Sequence, residues 1–252
     1  MKMEYAFFQE LYAELNDLQE TFRKSLSPWW EELQEYIKPL DYDPTGVLLP
    51  PFVLGVYKFT GTNRATAITM ANIFKSLYLA HSIHSLIRDD EEGQEYGREL
   101  QFRILIGDYL FGMVLKQLVD AGVDGLLEPL TAMITDINSG MVLKHKLKGQ
   151  ELKVLEQTRA SFYRTSFSTC AELAGVPDAV KQQYGDMGFN LGMAVELLYH
   201  KTLYSHAREY LCNAEKLLKS LAVDQAAGGS VLVRALEELE GYLCDMEQVA
   251  VI

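Results

Sequence analysis

The chain has 252 residues, long enough to bury a sizeable core, and its 35 acids against 23 lysines and arginines leave a formal charge of -12. That sign excludes phosphate-backbone binding as a main role, so no nucleic-acid partner is expected, and it disfavours an anionic membrane surface. Cys170, Cys212 and Cys244 are odd in number, widely spaced and without a CxxC pair, which implies neither a disulfide framework nor a zinc site; they are read as reduced, mostly buried thiols. No window approaches the roughly 20 apolar residues of a bilayer span. The opening MKMEYAFFQELYAEL carries acids where a secretory leader would be basic and then apolar, so a cytoplasmic location is expected.

Apolar residues recur at spacings of three and four over most of the chain, which predicts an all-α fold, taken as one domain over 1 to 252. Residues 3 to 26 read as an amphipathic helix. Ser27 is placed to cap a second helix with Pro28 at its first position and Glu31 and Glu32 near the positive dipole end, and Pro39 to end it. The stretch DYDPTGVLLPP, 41 to 51, reads as a loop by its three prolines and a glycine, and TGTN, 60 to 63, as a second break. From 64 to 88 apolar residues surround the helix, which marks a buried element, and the same pattern is read in ILIGDYLFGMVL, 104 to 115. Further helices are predicted at about 124 to 146, 150 to 174 and 178 to 220, the last bent near Gly188 and Gly192, with a more polar one at 230 to 248 after DQAAGGS. Two buried helices ringed by amphipathic ones describe a bundle with an interior cavity.

The feature that draws attention is IHSLIRDDEEG, 83 to 93, where a buried run ends in Asp89, Asp90, Glu91 and Glu92. Acids at a helix C-terminus oppose the dipole. Either they are the solvated end of the helix, or they hold a hard cation: Mg²⁺ takes one or two carboxylates and fills its remaining positions with water and phosphate oxygens. His81 and His84 share this helix at a spacing of three and are either packing residues or part of a site with further ligands. Arg164 and Thr165 form a basic-plus-hydroxyl pair on a small, apolar helix face; a buried arginine there needs an anion, either a ligand phosphate or an internal carboxylate such as Glu172. Gly188, Gly192 and Ala194 allow either close helix contact or room for a ligand.

In this order, SLIRDD (85 to 90), ILIGDYLFG (104 to 112), YRTSFSTCAELAG (163 to 175) and GFNLGMAVE (188 to 196) resemble the segments of the trans-polyprenyl diphosphate synthases. These all-α enzymes condense isopentenyl diphosphate head to tail onto an allylic diphosphate, and the resemblance covers roughly residues 60 to 205. It implies an isoprenoid-synthase bundle in which Asp89, Asp90 and Glu92 stand at the first aspartate-rich motif as a remnant metal site. Arg164 stands for the lysine of a Lys-Thr pair with Thr165, and Arg64, in GTNR, for part of the segment that holds isopentenyl diphosphate, so these three are the implied phosphate contacts. Phe74, Tyr78, Tyr109 and Phe111 are the implied tunnel residues, each equally readable as core.

The departures from that pattern are as informative. Gly93 replaces the third aspartate of the first motif, and the arginine-bearing loop after it is shortened to QEYGRELQFR, 94 to 103. At the second motif Glu196 stands at the glutamine of a Phe-Gln pair, while Tyr199 and His200 stand where the paired aspartates should be. The family's chemistry uses several Mg²⁺ ions clamped between two facing carboxylate clusters to stabilise the departing pyrophosphate. With one cluster absent, no catalytic residue is expected in this chain, and Mg²⁺ is expected in an assembled enzyme but weakly or not at all here. The resemblance therefore implies the small component of a heteromeric hexaprenyl or heptaprenyl diphosphate synthase, paired with a catalytic subunit bearing both motifs and acting on isoprenoid diphosphates. Whether the chain alone forms a family-like homodimer is left open by the sequence. Alternatives are an atypical Mg²⁺-dependent prenyltransferase active by itself and a degenerate scaffold that binds an isoprenoid or a protein.

Overall fold

A computed structural model describes residues 5 to 87, 98 to 146, 150 to 200, 203 to 222 and 230 to 249. The described residues form helices and turns and no strand, as the periodicity predicts. After a 3-10 turn at Ala6–Leu11 come α1 (Tyr12–Ser25), the single turn α2 (Gln34–Ile37), α3 (Pro44–Phe59), α4 (Arg64–His84), α5 (Arg98–Asp120) and α6 (Leu127–Lys146). They are followed by α7 (Glu151–Leu155), α8 (Ser161–Leu173), α9 (Asp178–Leu198), α10 (Ala207–Ala222) and α11 (Ser230–Val249). Helix α9 packs against α8 and α10; α3 touches α4, α8, α9 and α11; and α4 is flanked by α1, α3 and α5.

Five expectations are corrected. The stretch 41 to 51 is not a loop: after a 3-10 turn at Lys38–Tyr42, Asp43 caps α3 by accepting from the Gly46 N–H at 2.8 Å, and Pro44 takes the first position, where no N–H is needed. Pro50 and Pro51 then lie inside the helix, each an interior proline costing about 3 kcal/mol. Residues 48 to 57 are all buried, and burial at ~1.5–3 kcal/mol for each large apolar side chain outweighs that cost. Secondly, Ser27 and Pro28 start no helix; residues 26 to 33 are turns, with only Leu26 and Leu33 buried to anchor them.

Thirdly, ILIGDYLFGMVL is one-sided. Ile106, Leu110, Val114 and Leu118 of α5 are buried, whereas Leu105 is 68% and Val119 67% exposed, because α4 covers a single face of this helix. Fourthly, the chain between 178 and 220 breaks after Leu198 into α9 and α10 and not at the glycines. Gly188 and Gly192 are where α9 closes on α8. A Cβ on Gly192 would come within 2.6 Å of the Tyr163 ring, and one on Gly188 would overlap the Tyr163 carbonyl oxygen. The small residues serve close contact. Of the thiols, Cys170 is buried and Cys212 and Cys244 are exposed, which corrects the reading of mostly buried cysteines.

Candidate functional site

Asp89, Asp90, Glu91 and Glu92 lie outside the described residues, which end on this side at Ile87, just beyond the C-terminus of α4. Arg64 opens the same helix. Twenty-one residues at ~1.5 Å each put about 30 Å between the two ends. Arg64 is also occupied by Asp17 of α1 at 2.5 Å. The structure therefore separates Arg64 from the C-terminal end of α4, which the acids follow in sequence. Arg164 is exposed, its guanidinium 4.2 Å from the Phe189 ring centroid, and Glu172, its anticipated partner, meets Lys181 at 3.3 Å. Thr165 beside it is half-buried.

The basic residue that faces inward is Arg159, five positions earlier. It lies in a π-helical turn, Glu156–Ala160, between α7 and α8. Such turns insert one extra residue per turn and leave backbone carbonyls to be satisfied otherwise; the Thr158 hydroxyl donates to the Val154 carbonyl at 2.7 Å and the Ser161 hydroxyl to that of Glu156 at 3.2 Å. The turn rotates Arg159 onto α3, α4 and α9. Its guanidinium lies 3.5 Å from Asp43 Oδ2, 3.8 Å from Glu196 Oε2 and 5.2 Å from the centroid of the Tyr78 ring. The Thr45 hydroxyl donates to Glu196 Oε1 at 2.5 Å, and the Tyr78 hydroxyl donates to Asp43 Oδ1 at 2.5 Å. Burial pushes the Glu196 carboxyl up from its ordinary pKa, while Arg159 and the Thr45 hydroxyl pull it back down. Buried Tyr163, beside Glu196, is raised well above the ordinary phenol value, first by burial.

This network joins two members of the anticipated set, Glu196 and Tyr78, with three residues the sequence reading missed: Asp43, Thr45 and Arg159. Asp43-Pro44 is an N-cap and first-position signature that could have announced α3. Thr158-Arg159 is itself a hydroxyl-plus-base pair, and only the π turn distinguishes it from Arg164-Thr165.

At the other second-motif positions, Tyr199 shares a short hydroxyl–hydroxyl hydrogen bond with Tyr5 and packs on Tyr242 with ring centroids 5.4 Å apart. His200 Nε2 lies 2.9 Å from Glu151 Oε1. Both side chains are engaged by other helices. Among the described residues no three His, Cys, Asp or Glu side chains converge as a metal ion would need, so the described part of the chain does not supply the ligands of a metal clamp.

Of the anticipated tunnel residues, Phe74 is fully buried core, Tyr109 is exposed with its hydroxyl 3.4 Å from the Ser27 carbonyl, and Phe111 borders a small cavity with His81, His84 and Phe162. That cavity measures about 20 Å³, space for about one water molecule. Burial, reinforced by His84 and Lys144, pushes His81 down to about 4, so it is neutral at pH 7. It packs on Phe162 and Tyr78.

No protein-family model matches the sequence, and no curated protein matches it either. Solved structures do. A polyprenyl synthase from Caulobacter crescentus, in complex with calcium and isoprenyl diphosphate, aligns over 94% of this chain and 96% of its own, with TM-score 0.66 and 17% identity. A decaprenyl diphosphate synthase from Rhodobacter capsulatus aligns over 94% and 97%, with TM-score 0.64 and 16% identity. The heterotetrameric geranyl pyrophosphate synthase of mint, as a deletion mutant with ligands, aligns over 90% and 98%, with TM-score 0.66 and 14% identity. At these identities the shared property is the architecture: the chain has the all-α isoprenoid synthase fold of the trans-prenyl diphosphate synthases.

Proposed function

We propose that the protein is the small, non-catalytic component of a heteromeric polyprenyl diphosphate synthase of the hexaprenyl or heptaprenyl type. In this reading it pairs with and orders a catalytic subunit that carries both aspartate-rich motifs and condenses isopentenyl diphosphate with an allylic diphosphate. The observation that carries the reading is the C-terminal end of α9, where Tyr199 and His200 are tied to Tyr5, Tyr242 and Glu151 and offer no carboxylate pair to face the acids after α4. Ionising an allylic diphosphate needs charge stabilisation from both sides of the departing group. The cation that faces α9, Arg159, is itself held by Asp43 and Glu196.

The pairing surface in this proposal is the outer face of α5. Leu105, Tyr109, Leu115 and Val119 recur along it, interrupted by Asp108 and Lys116, and Leu127 and Val142 of α6 are exposed as well. An apolar stripe of this kind on an outer helix is what a partner surface provides. The mint enzyme is described as heterotetrameric and supplies a precedent for mixed assembly on this fold.

The test is co-expression with a homologue from the same source that bears both aspartate-rich motifs, followed by chain-elongation assays of each chain and of the pair. The pair should elongate and this chain alone should not. Leu105→Lys with Val119→Lys should abolish co-purification, with the variant's own unfolding free energy changed by only about 0.5 kcal/mol, as for surface substitutions. Mg²⁺-dependent turnover by the single chain, lost in Asp89→Ala, would overturn the proposal in favour of an independent enzyme. Failure of the mixture to form or to turn over would point to a binding scaffold.

A further inference from the structure

A cleft of about 130 Å³ opens between α1, the α2 turn, α3 and α4, with Tyr78 on one side. Its walls are mixed: Phe22, Trp30, Ile37, Leu49 and Pro50 supply the apolar part, and Gln34, Lys38 and Asp41 line it as well. Into it points Lys75 of α4. The ammonium lies 3.2 Å from the Gln19 amide oxygen and 4.4 Å from the centroid of the Phe22 ring. Arg64 and Arg159 are met by carboxylates within 4.0 Å, but no described carboxylate comes that close to Lys75; Asp41, on the rim, acts on it from farther away. A largely desolvated ammonium with its only described carboxylate, Asp41, beyond 4.0 Å is incompletely compensated. What complements it is an anion small enough for the space. The volume is close to that of the ~150 Å³ cavity known to admit benzene.

We propose that the Lys75 cleft is a binding site for a small organic anion, a carboxylate or phosphate group seated on the ammonium with a short apolar tail against Ile37 and Leu49. The Gln19 amide, whose oxygen already accepts from Lys75, has its NH₂ free to turn toward the anion. The inference is independent of the proposed function, since of the Arg159 network it shares only the lining residues Tyr78 and Thr45 and assigns them no role.

The charge state adds a signature. Burial pushes Lys75 down to about 8, opposed by Asp41. Affinity for the carboxylate arm is therefore level between about pH 6 and 7 and falls as the pH rises through 8; the phosphate arm also gains its second charge at about pH 6. The other groups facing the cleft are Lys38 and Asp41 of the 38 to 42 turn and Tyr78 of α4, while α1 and α3 present neutral Gln19 and Thr45.

Trp29 and Trp30 are the only tryptophans, and Trp30 lines the cleft, so intrinsic fluorescence and calorimetry both report on it. Isovalerate and n-butyl phosphate, the two head-group arms, are titrated against the full chain, with inorganic phosphate and 3-methylbutanol as the tail-less and charge-less probes. Saturable binding of at least one organic anion is expected, weakened at least about tenfold in Lys75→Met, the scale of one charge-assisted hydrogen bond. It should survive in Lys75→Arg. Leu49→Phe, which fills the cleft and leaves the charge, should also remove it. Circular-dichroism melting of each variant shows that it is folded. Absence of saturation with both organic anions, equal affinity in Lys75→Met, or equal binding of inorganic phosphate and butyl phosphate would overturn the site.

Discussion

Arg159 and Glu196 show how a single side chain's surroundings set its chemistry. Glu196 is almost fully buried, its side chain 9% exposed, and is stabilised as an anion by Arg159 and the Thr45 hydroxyl. Because burial raises its pKa, the native state holds its proton more tightly than the unfolded chain does. Its contribution to stability is therefore full below the ordinary carboxylate value and is lost as pH rises through the raised one. Glu196→Gln should flatten that part of a urea-unfolding profile measured between mildly acidic and neutral pH, and Arg159→Met should steepen it. Gly188 argues sterics in place of charge. Gly188→Ala would place a methyl inside contact distance of the Tyr163 carbonyl oxygen. Backbone can yield little, so about 1–3 kcal/mol of destabilisation is expected, as in other overpacked cores, read from chemical denaturation. Neither effect was visible in the residues alone. The glycine spacing allowed close contact and ligand space equally, and Glu196 read as a lost motif position until Arg159 was found opposite it.

Among the helices, α3 is where local rules and tertiary burial disagree. Three prolines and a glycine in 41 to 51 read as loop, yet Asp43 and Pro44 start a helix that lies in the core. Asp43 holds three contacts at once: the Gly46 N–H, the Tyr78 hydroxyl and Arg159. Asp43→Ala should therefore cost more than the ~1 kcal/mol of a lost cap, about 2–3 kcal/mol once the buried hydrogen bond and counter-charge are included, whereas Asp43→Asn should retain the cap. Unfolding midpoints of the two variants check this. The buried helix α4 and the terminal helix α11 were legible because their periodicity is long and uninterrupted. The sidedness of α5 was not, since apolar residues fall on both of its faces, and only the absence of a described neighbour on one of them leaves Leu105 and Val119 exposed.

For the molecule as a whole, the described N-terminal residues are tied to α11. The backbone N–H groups of Ala6 and Phe7 both donate to the Glu238 carboxylate at 2.8 Å, Arg234 meets Glu10 at 2.8 Å, and Tyr5 bonds Tyr199. Phe7 and Leu11 are fully buried beneath this seam. Removing residues 1 to 11 should lower stability by about 4–6 kcal/mol, two large apolar side chains at ~1.5–3 kcal/mol each with loss of the polar clamp added, measured as a drop in thermal midpoint. Helix content, the order of the helices and the likeness to a prenyl-synthase bundle could be read from the residues, because periodicity and short motifs are local properties. Which arginine faces inward, what holds Tyr199 and His200, and where a lysine lies with no described carboxylate within 4.0 Å depend on contacts between segments far apart in the chain. Arg159 and Arg164 look equivalent in sequence; one π turn directs the first onto Asp43 and Glu196 and leaves the second on the surface.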